Sequence, residues 1–215
     1  MYHIKEAFYT LQGEGARTGR ASVFCRFSGC NLWSGRAVDR PRASCRFCDT
    51  DFVGTDGQHG GSFSDAASLA EHLLSLWPTA TTASAVPYVV FTGGEPLLQL
   101  DASLVDAMHA RGFEIAVETN GTLPAPDGID WLCVSPKGSR QLALASGDEL
   151  KLVYPQDDAP PERFETMNFT HFYLQPMDVS PWDTERQTTS DTIAYCLRSP
   201  QWRLSLQTHK ITGID

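Results

Sequence analysis

The chain has 215 residues, of which 41% are hydrophobic and 20% charged, enough to bury a sizeable core in one domain without disulfides. No apolar run approaches the roughly 18 residues that a membrane-spanning helix needs, and the start, MYHIKEAFYTLQGEG, shows no secretory pattern. A soluble, cytoplasmic single catalytic domain over residues 1–215 is expected. The formal net charge of −9 argues against a nucleic-acid polyanion as ligand, since that binding relies on Lys and Arg neutralising phosphates, and favours a small molecule.

Short apolar, β-branched or aromatic runs predict strands at Ile4–Tyr9, Ser22–Phe27, Tyr88–Phe91, Phe113–Val117, Trp131–Val134, Leu150–Val153, His171–Leu174 and Trp202–Leu206. Residues 53–62 are Gly-rich and read as a loop. Spacings of three and four predict helices over Asp65–Trp77 (Leu69, Leu73, Leu76, Trp77), Asp101–Ala110 (Leu104, Val105, Met108) and about Thr189–Leu197 (Ile193, Ala194, Leu197). Ser64 or Asp65, and Asp101, stand at N-cap positions. Strands alternating with helices predict a mostly parallel α/β sheet, and the near-continuous apolar strands suit one covered on both faces. No repeat of fixed period interrupts this order.

Six cysteines in a chain without an export signal read as thiols, metal ligands or core residues rather than disulfides. Cys25 alternates with Val23 and Phe27 inside a strand, and it is assigned to the core with Cys133 and Cys196. Cys30, Cys45 and Cys48 instead form C-x14-C-x2-C in a loop placed at about 28–62, directly after the second strand. Three soft thiolates suit an iron–sulfur cluster or zinc, both of which usually take a fourth protein ligand. None is evident nearby. A three-thiolate cluster would leave one iron open for another ligand, for which S-adenosylmethionine (SAM) is a candidate; zinc remains the alternative.

The following strands end in polar motifs. YVVFTGGEP runs into a Gly-Gly turn, where glycine permits close backbone approach to a ligand, and Glu95 is placed to meet an ammonium. An ordinary turn with Pro96 at the first helical position is the alternative. AVETNG brings Glu118 to a position where it can accept from a ribose, WLCVSPKG ends in Ser135 and Lys137, and HFYLQPMD ends in Gln175 and Asp178. Each is weak alone. Together they lie at the carboxyl ends of strands, where parallel sheets and barrels assemble active sites.

FYTLQGEGARTG, FCRFSGCNLW, CRFCDTDF, TGGEP, ETNG, SPK, ELK, QPMD and LSLQTHK span nearly the whole chain. In combination they resemble the radical SAM superfamily and, within it, the 7-carboxy-7-deazaguanine synthase family of the queuosine pathway. The long first spacer departs from the superfamily's C-x3-C-x2-C and fits this subgroup. The resemblance implies a modified partial (β/α) barrel holding a 4Fe–4S cluster on Cys30, Cys45 and Cys48 with SAM on its open iron. It implies a lyase that converts 6-carboxy-5,6,7,8-tetrahydropterin to 7-carboxy-7-deazaguanine with loss of ammonia. Cleavage of SAM would give a 5′-deoxyadenosyl radical that takes a substrate hydrogen and later returns it.

Leu11, Gln12, Gly13 and Glu14 would meet the pterin, whose N–H donors suit carboxylate and carbonyl acceptors. Arg26, opposite in facing to Cys25, points inward, where a substrate carboxylate or a protein carboxylate such as Glu14 would pair with it. By resemblance, Thr92 and Asp215 would touch substrate. Phe47, Cys48, Asp49, Gly94, Glu118, Ser135, Pro136, Lys137, Gln175, Pro176, Met177 and Asp178 would line the SAM site, and Thr50 would help hold Mg2+. A homodimer reduced by a donor such as flavodoxin is also implied. Rival readings are another small radical SAM enzyme, such as a glycyl-radical activating enzyme, or a non-catalytic zinc module. Arg36, Arg40 and Arg42 in the cysteine spacer read as solvated or as a face for an acidic reductase.

Overall fold

The fold was analysed in a computed structural model that describes residues 1–78, 85–179 and 187–214. Strand β1 (Tyr2–Leu11) pairs antiparallel with β2 (Ala21–Phe27) on one side and with β3 (Gly61–Phe63) on the other. From β2 onward every pairing is parallel, through β4 (Tyr88–Gly93), β5 (Glu114–Thr119), β6 (Trp131–Val134), β7 (Ser146–Tyr154), β8 (Asn168–Pro176) and β9 (Arg203–Leu204). The order β3-β1-β2-β4-β5-β6-β7-β8-β9 makes one mostly parallel, nine-stranded sheet. Its edges, β3 and β9, are not hydrogen-bonded to each other, so the sheet is open. The loop after β1 instead meets the segment after β9: Thr208 N donates to Gly13 O and Gly15 N to Ser205 Oγ.

The outer face of the first strands is apolar because one side of each is Val, Ile, Phe or Cys. Val23, Cys25, Phe27, Val89, Phe91, Ile115 and Val117 are buried under α1 (Ala66–Leu76) and α2 (Ala102–His109). These helices present Leu69, Leu73, Leu104, Val105 and Met108 to the sheet. The expected caps form, since the Asp65 and Asp101 side chains accept from the N–H groups of Ser68 and Leu104 and satisfy donors at each helix start. A second core lies about β7 and β8, with Leu150, Leu152, Leu174, Phe164 and Trp202. Among the described residues no helix is long and apolar enough to cross a membrane.

Several expectations are corrected. The Gly-rich segment yields an edge strand: Gly61 pairs with Ile4, and a backbone pairing of this kind needs no side-chain signature. Helix α3 (Thr188–Arg198) forms, but it buries Thr188, Thr192 and Tyr195, while Ile193 and Leu197 face outward. The polar face wins because its groups find partners: Thr188 Oγ1 donates to Met177 O, and Tyr195 packs at a tilt against Tyr154 and donates to Glu162. Cys25 and Cys133 are buried as expected, whereas Cys196 is only half-buried beside the second core. The final strand shrinks to Arg203–Leu204, and helix α4 (Thr208–Thr212) follows it unannounced by any apolar period.

Leu73→Ala removes a fully buried side chain between α1 and the sheet, and urea denaturation should register a loss of about 2–5 kcal/mol. Leu197→Ala, on the exposed face of α3, should stay within about 0.5 kcal/mol of the wild type.

Candidate active site

The inner face of the sheet is polar where the outer face is apolar. Glu6 and Phe8 of β1, Phe24 and Arg26 of β2, Thr92 of β4, Glu118 of β5, Lys151 and Val153 of β7 and Gln175 of β8 line one cavity of about 460 Å³. That volume suits a small ligand. An irregularity in β1 between Ile4 and Glu6 sets the facing: Ile4 stays in the outer core, while Glu6 comes directly opposite Arg26. Glu6 Oε1 accepts from Arg26 Nε at 2.7 Å. The inward arginine thus pairs with Glu6, not Glu14, and both its Nη groups carry no protein hydrogen bond among the described residues.

Cys30, Cys45 and Cys48 line the same cavity as free thiols, with no other cysteine among its lining residues. The loop that carries them has a small core of its own. Trp33 packs edge-on against Phe52, and the Arg40 guanidinium lies 4.1 Å over the Trp33 ring while donating to the carbonyls of Arg46 and Cys48. Lys5 holds the far end through Asp51 and Asp56, each at 2.8 Å. Of the spacer arginines, Arg40 is therefore structural, and Arg36 and Arg42 are exposed. The Cys45 thiol donates toward Cys48, which lies below its usual pKa, at about 6, for that reason. Among the described residues no three Cys, His, Asp or Glu side chains converge tightly enough to chelate one ion. Three thiols lining one cavity suit a multi-iron group with an open coordination position.

The Gly-Gly turn after β4 is pressed against this loop. A Cβ on Gly94 would stand 2.2 Å from Gly29 O and 2.7 Å from Cys30 Cβ, so only glycine fits. Glu95 turns away from the cavity and is fully buried. Its carboxylate accepts from Leu97 N, Thr119 Oγ1 and Asn120 N, which joins the turn after β4 to the one after β5. Burial raises its pKa against those three donors.

On the opposite wall Lys151 Nζ lies 2.8 Å from Glu14 Oε2 and 2.7 Å from Glu118 Oε2. Gln12 Nε2 donates to the other oxygen of Glu118, while Gln175 and Gln207 donate to Glu14 Oε1. Burial alone would raise the Glu14 pKa, but the Lys151 ammonium holds it at about 2. Burial would likewise depress Lys151, but Glu118 and Glu14 outweigh it and hold the ammonium charged.

Leu11, Gln12, Gly13, Glu14, Arg26, Phe47, Cys48, Asp49, Thr50, Thr92, Gly94, Glu118, Ser135, Lys137, Gln175, Pro176 and Asp178 all reach the cavity. Glu95 and Pro136 do not, and Met177 lines a neighbouring groove with Arg42 and Arg46. Asp215 lies outside the described residues. Sequence reasoning assigned no role to Glu6, Lys151, Gln207, His209 or Lys210. Motifs flagged four of these as part of ELK and LSLQTHK; Glu6 had no signal beyond its alternation on β1. Lys210 of α4 bridges Asp49 and Asp178, each at 2.6 Å, and His209 packs on Gly13 with its pKa lowered by burial.

No protein-family model matches the chain. It is 62% identical over 213 residues to the 7-carboxy-7-deazaguanine synthase of Bradyrhizobium diazoefficiens, covering 99% of each chain, and 61% identical to that of Bordetella pertussis with the same coverage. It is 40% identical to the enzyme of that name from Bacteroides thetaiotaomicron, over 100% of this chain and 99% of the other. Among solved structures it is similar to QueE from Escherichia coli, with a TM-score of 0.61 and 27% identity over 95% of this chain and 93% of that one.

Gly94→Ala should push the Cys30 loop away from the turn after β4. Iron and sulfide retained after anaerobic reconstitution should fall well below wild type while the far-UV spectrum is kept; full loading would contradict the contact.

Proposed function

The chain belongs to the 7-carboxy-7-deazaguanine synthase family, a family of radical SAM enzymes of the queuosine pathway, and we propose how its own residues carry that chemistry. The observation that carries the reading is a single cavity that unites three free thiols, an arginine with two unpaired Nη groups and two carboxylates held by a lysine. The substrate is 6-carboxy-5,6,7,8-tetrahydropterin, and its carboxylate pairs with the open Nη groups of Arg26 in a charge-assisted, two-pronged contact. The donor-bearing pyrimidine edge is read by Gln12, Gly13 and Glu14, with Thr92 beside it.

Cys30, Cys45 and Cys48 hold a 4Fe–4S cluster, and Gly94, Ser135, Lys137, Gln175, Pro176 and Asp178 bind SAM next to it, with Phe47 and Asp49 on the loop side. When bound, these groups supply one-electron cleavage of SAM to a radical that abstracts substrate hydrogen. The chain positions the substrate and screens it from water with Phe8, Phe24 and Phe47, which matters because a radical site must exclude side reactions. Thr50, a cavity-lining residue, would contribute one ligand to Mg2+, an ion that typically takes few protein ligands. The enzyme works as one catalytic unit in a partial barrel, as a cytoplasmic homodimer reduced by a flavodoxin-type donor.

Anaerobic incubation with SAM, a reductant and the carboxytetrahydropterin should yield 7-carboxy-7-deazaguanine and ammonia. Absence of product from fully cluster-loaded protein would overturn the reading. Arg26→Ala should cost about 2–5 kcal/mol of substrate affinity in direct binding, since it strips a desolvated carboxylate of its partner. An unchanged affinity would confine Arg26 to its pairing with Glu6.

A further inference from the structure

Lys151 is the most deeply buried cation of the cavity, with its side chain 4% exposed, and it touches two carboxylates from distant parts of the chain. Glu14 comes from the loop after β1 and Glu118 from β5, and each keeps further oxygens or neighbours on the cavity wall. Glu118 is tied through Gln12 and Lys151 to the loop after β1, the loop that carries Gln12, Gly13 and Glu14.

We propose that Lys151 is a positioning residue that determines substrate specificity: its ammonium keeps Glu14 and Glu118 together as an acceptor-only wall, which selects heterocycles whose edge carries adjacent N–H donors. The inference rests on the pterin reading of the cavity. An ionised carboxylate can only accept, whereas a protonated one presents a donor of its own. Two carboxylates buried side by side without a cation would share a proton, because like charges in a desolvated site disfavour joint ionisation. The wall would then oppose one of its own donors to those of the ligand, and a buried mismatch of that kind is what rejects a wrong ligand most strongly. Lys151 removes the conflict without touching the ring. The 2-amino-4-oxo edge of a pterin offers N–H and NH2 donors in a row; a lumazine, with oxygen in place of the 2-amino group, offers an acceptor there.

The other titratable groups facing Lys151 are Glu149 and Cys133, both buried with raised pKa values, and His209, whose pKa is lowered. Glu149 Oε2 accepts from Ala16 N and is engaged with the backbone of the same loop. With Glu14 held at about 2, its carboxylate stays ionised throughout the neutral range, so selection through it by the native protein should not vary with pH there. Removing the cation reverses this: the shared proton is present at lower pH and is lost as pH rises.

The test measures direct binding of 6-carboxypterin and of 6-carboxylumazine to the cluster-loaded protein between about pH 5.5 and 7.5, a window above the ordinary carboxylate range. Wild type should prefer the pterin by about tenfold or more, the worth of one charge-assisted hydrogen bond, with a flat pH profile. Lys151→Met should lose most of that preference at the acid end and regain it as pH rises. Lys151→Met combined with Glu118→Gln removes the paired carboxylates of the wall, Glu149 keeping a pKa raised by burial, so it should fold even if the single variant does not, with a reduced and pH-independent preference. A wild-type preference with a flat profile in both variants would overturn the role of Lys151 alone. If wild type bound neither compound, the pterin reading itself would fall, and this inference with it.

Discussion

The ammonium of Lys151 is the constraint around which the inner face is organised. A cation taken out of water is tolerated only if its neighbours repay the desolvation, and removing one partner of such a buried set typically costs about 3–5 kcal/mol. Here the repayment comes from Glu14 and Glu118, which lie 137 and 33 residues away along the chain and must be brought to it from the loop after β1 and from β5. The carboxylates in turn collect Gln12, Gln175 and Gln207, so one charge fixes the loop after β1, two neighbouring regions of the sheet and the segment leading into α4. An open sheet thereby gains a defined interior, since the loop after β1 is joined by polar contacts to the segment after β9.

The thiol side is built by different physics. Its loop is long and carries no helix beyond short turns, and it holds its shape through the Trp33, Phe52 and Arg40 contact and the Lys5 ion pairs. The TGGEP turn then locks against it by excluding any side chain at Gly94, and Glu95 anchors that turn to the next one through three donors. A conspicuous acidic residue in a motif thus serves as a strut. Its neighbours, the glycines, make the close approach to the site.

Much of this was legible in advance. Alternation along β2 separated Cys25 from Arg26 and so told the core face from the cavity face. Helical spacing and Asp caps located α1 and α2, because their apolar faces are buried against the sheet and their N-termini need side-chain acceptors. Periodicity misled at α3, where threonine and tyrosine found partners inside and the leucine and isoleucine were left in solvent. It was silent at β3 and α4, which are held by backbone pairing and by Lys210 bridging two aspartates rather than by any apolar pattern.

The sequence by itself determined the chemistry available: three cysteines with no evident fourth ligand, polar residues at strand ends, an inward arginine and the family to which these belong. Residue types and local spacing suffice for that, since strand alternation and turn composition act over a few residues. Tertiary structure alone decided which charges meet. The pairing of Arg26 with Glu6 depends on an irregularity in β1, and that of Lys151 with Glu14 and Glu118 on how the sheet brings distant strands together, neither of which is encoded in the order of neighbouring residues.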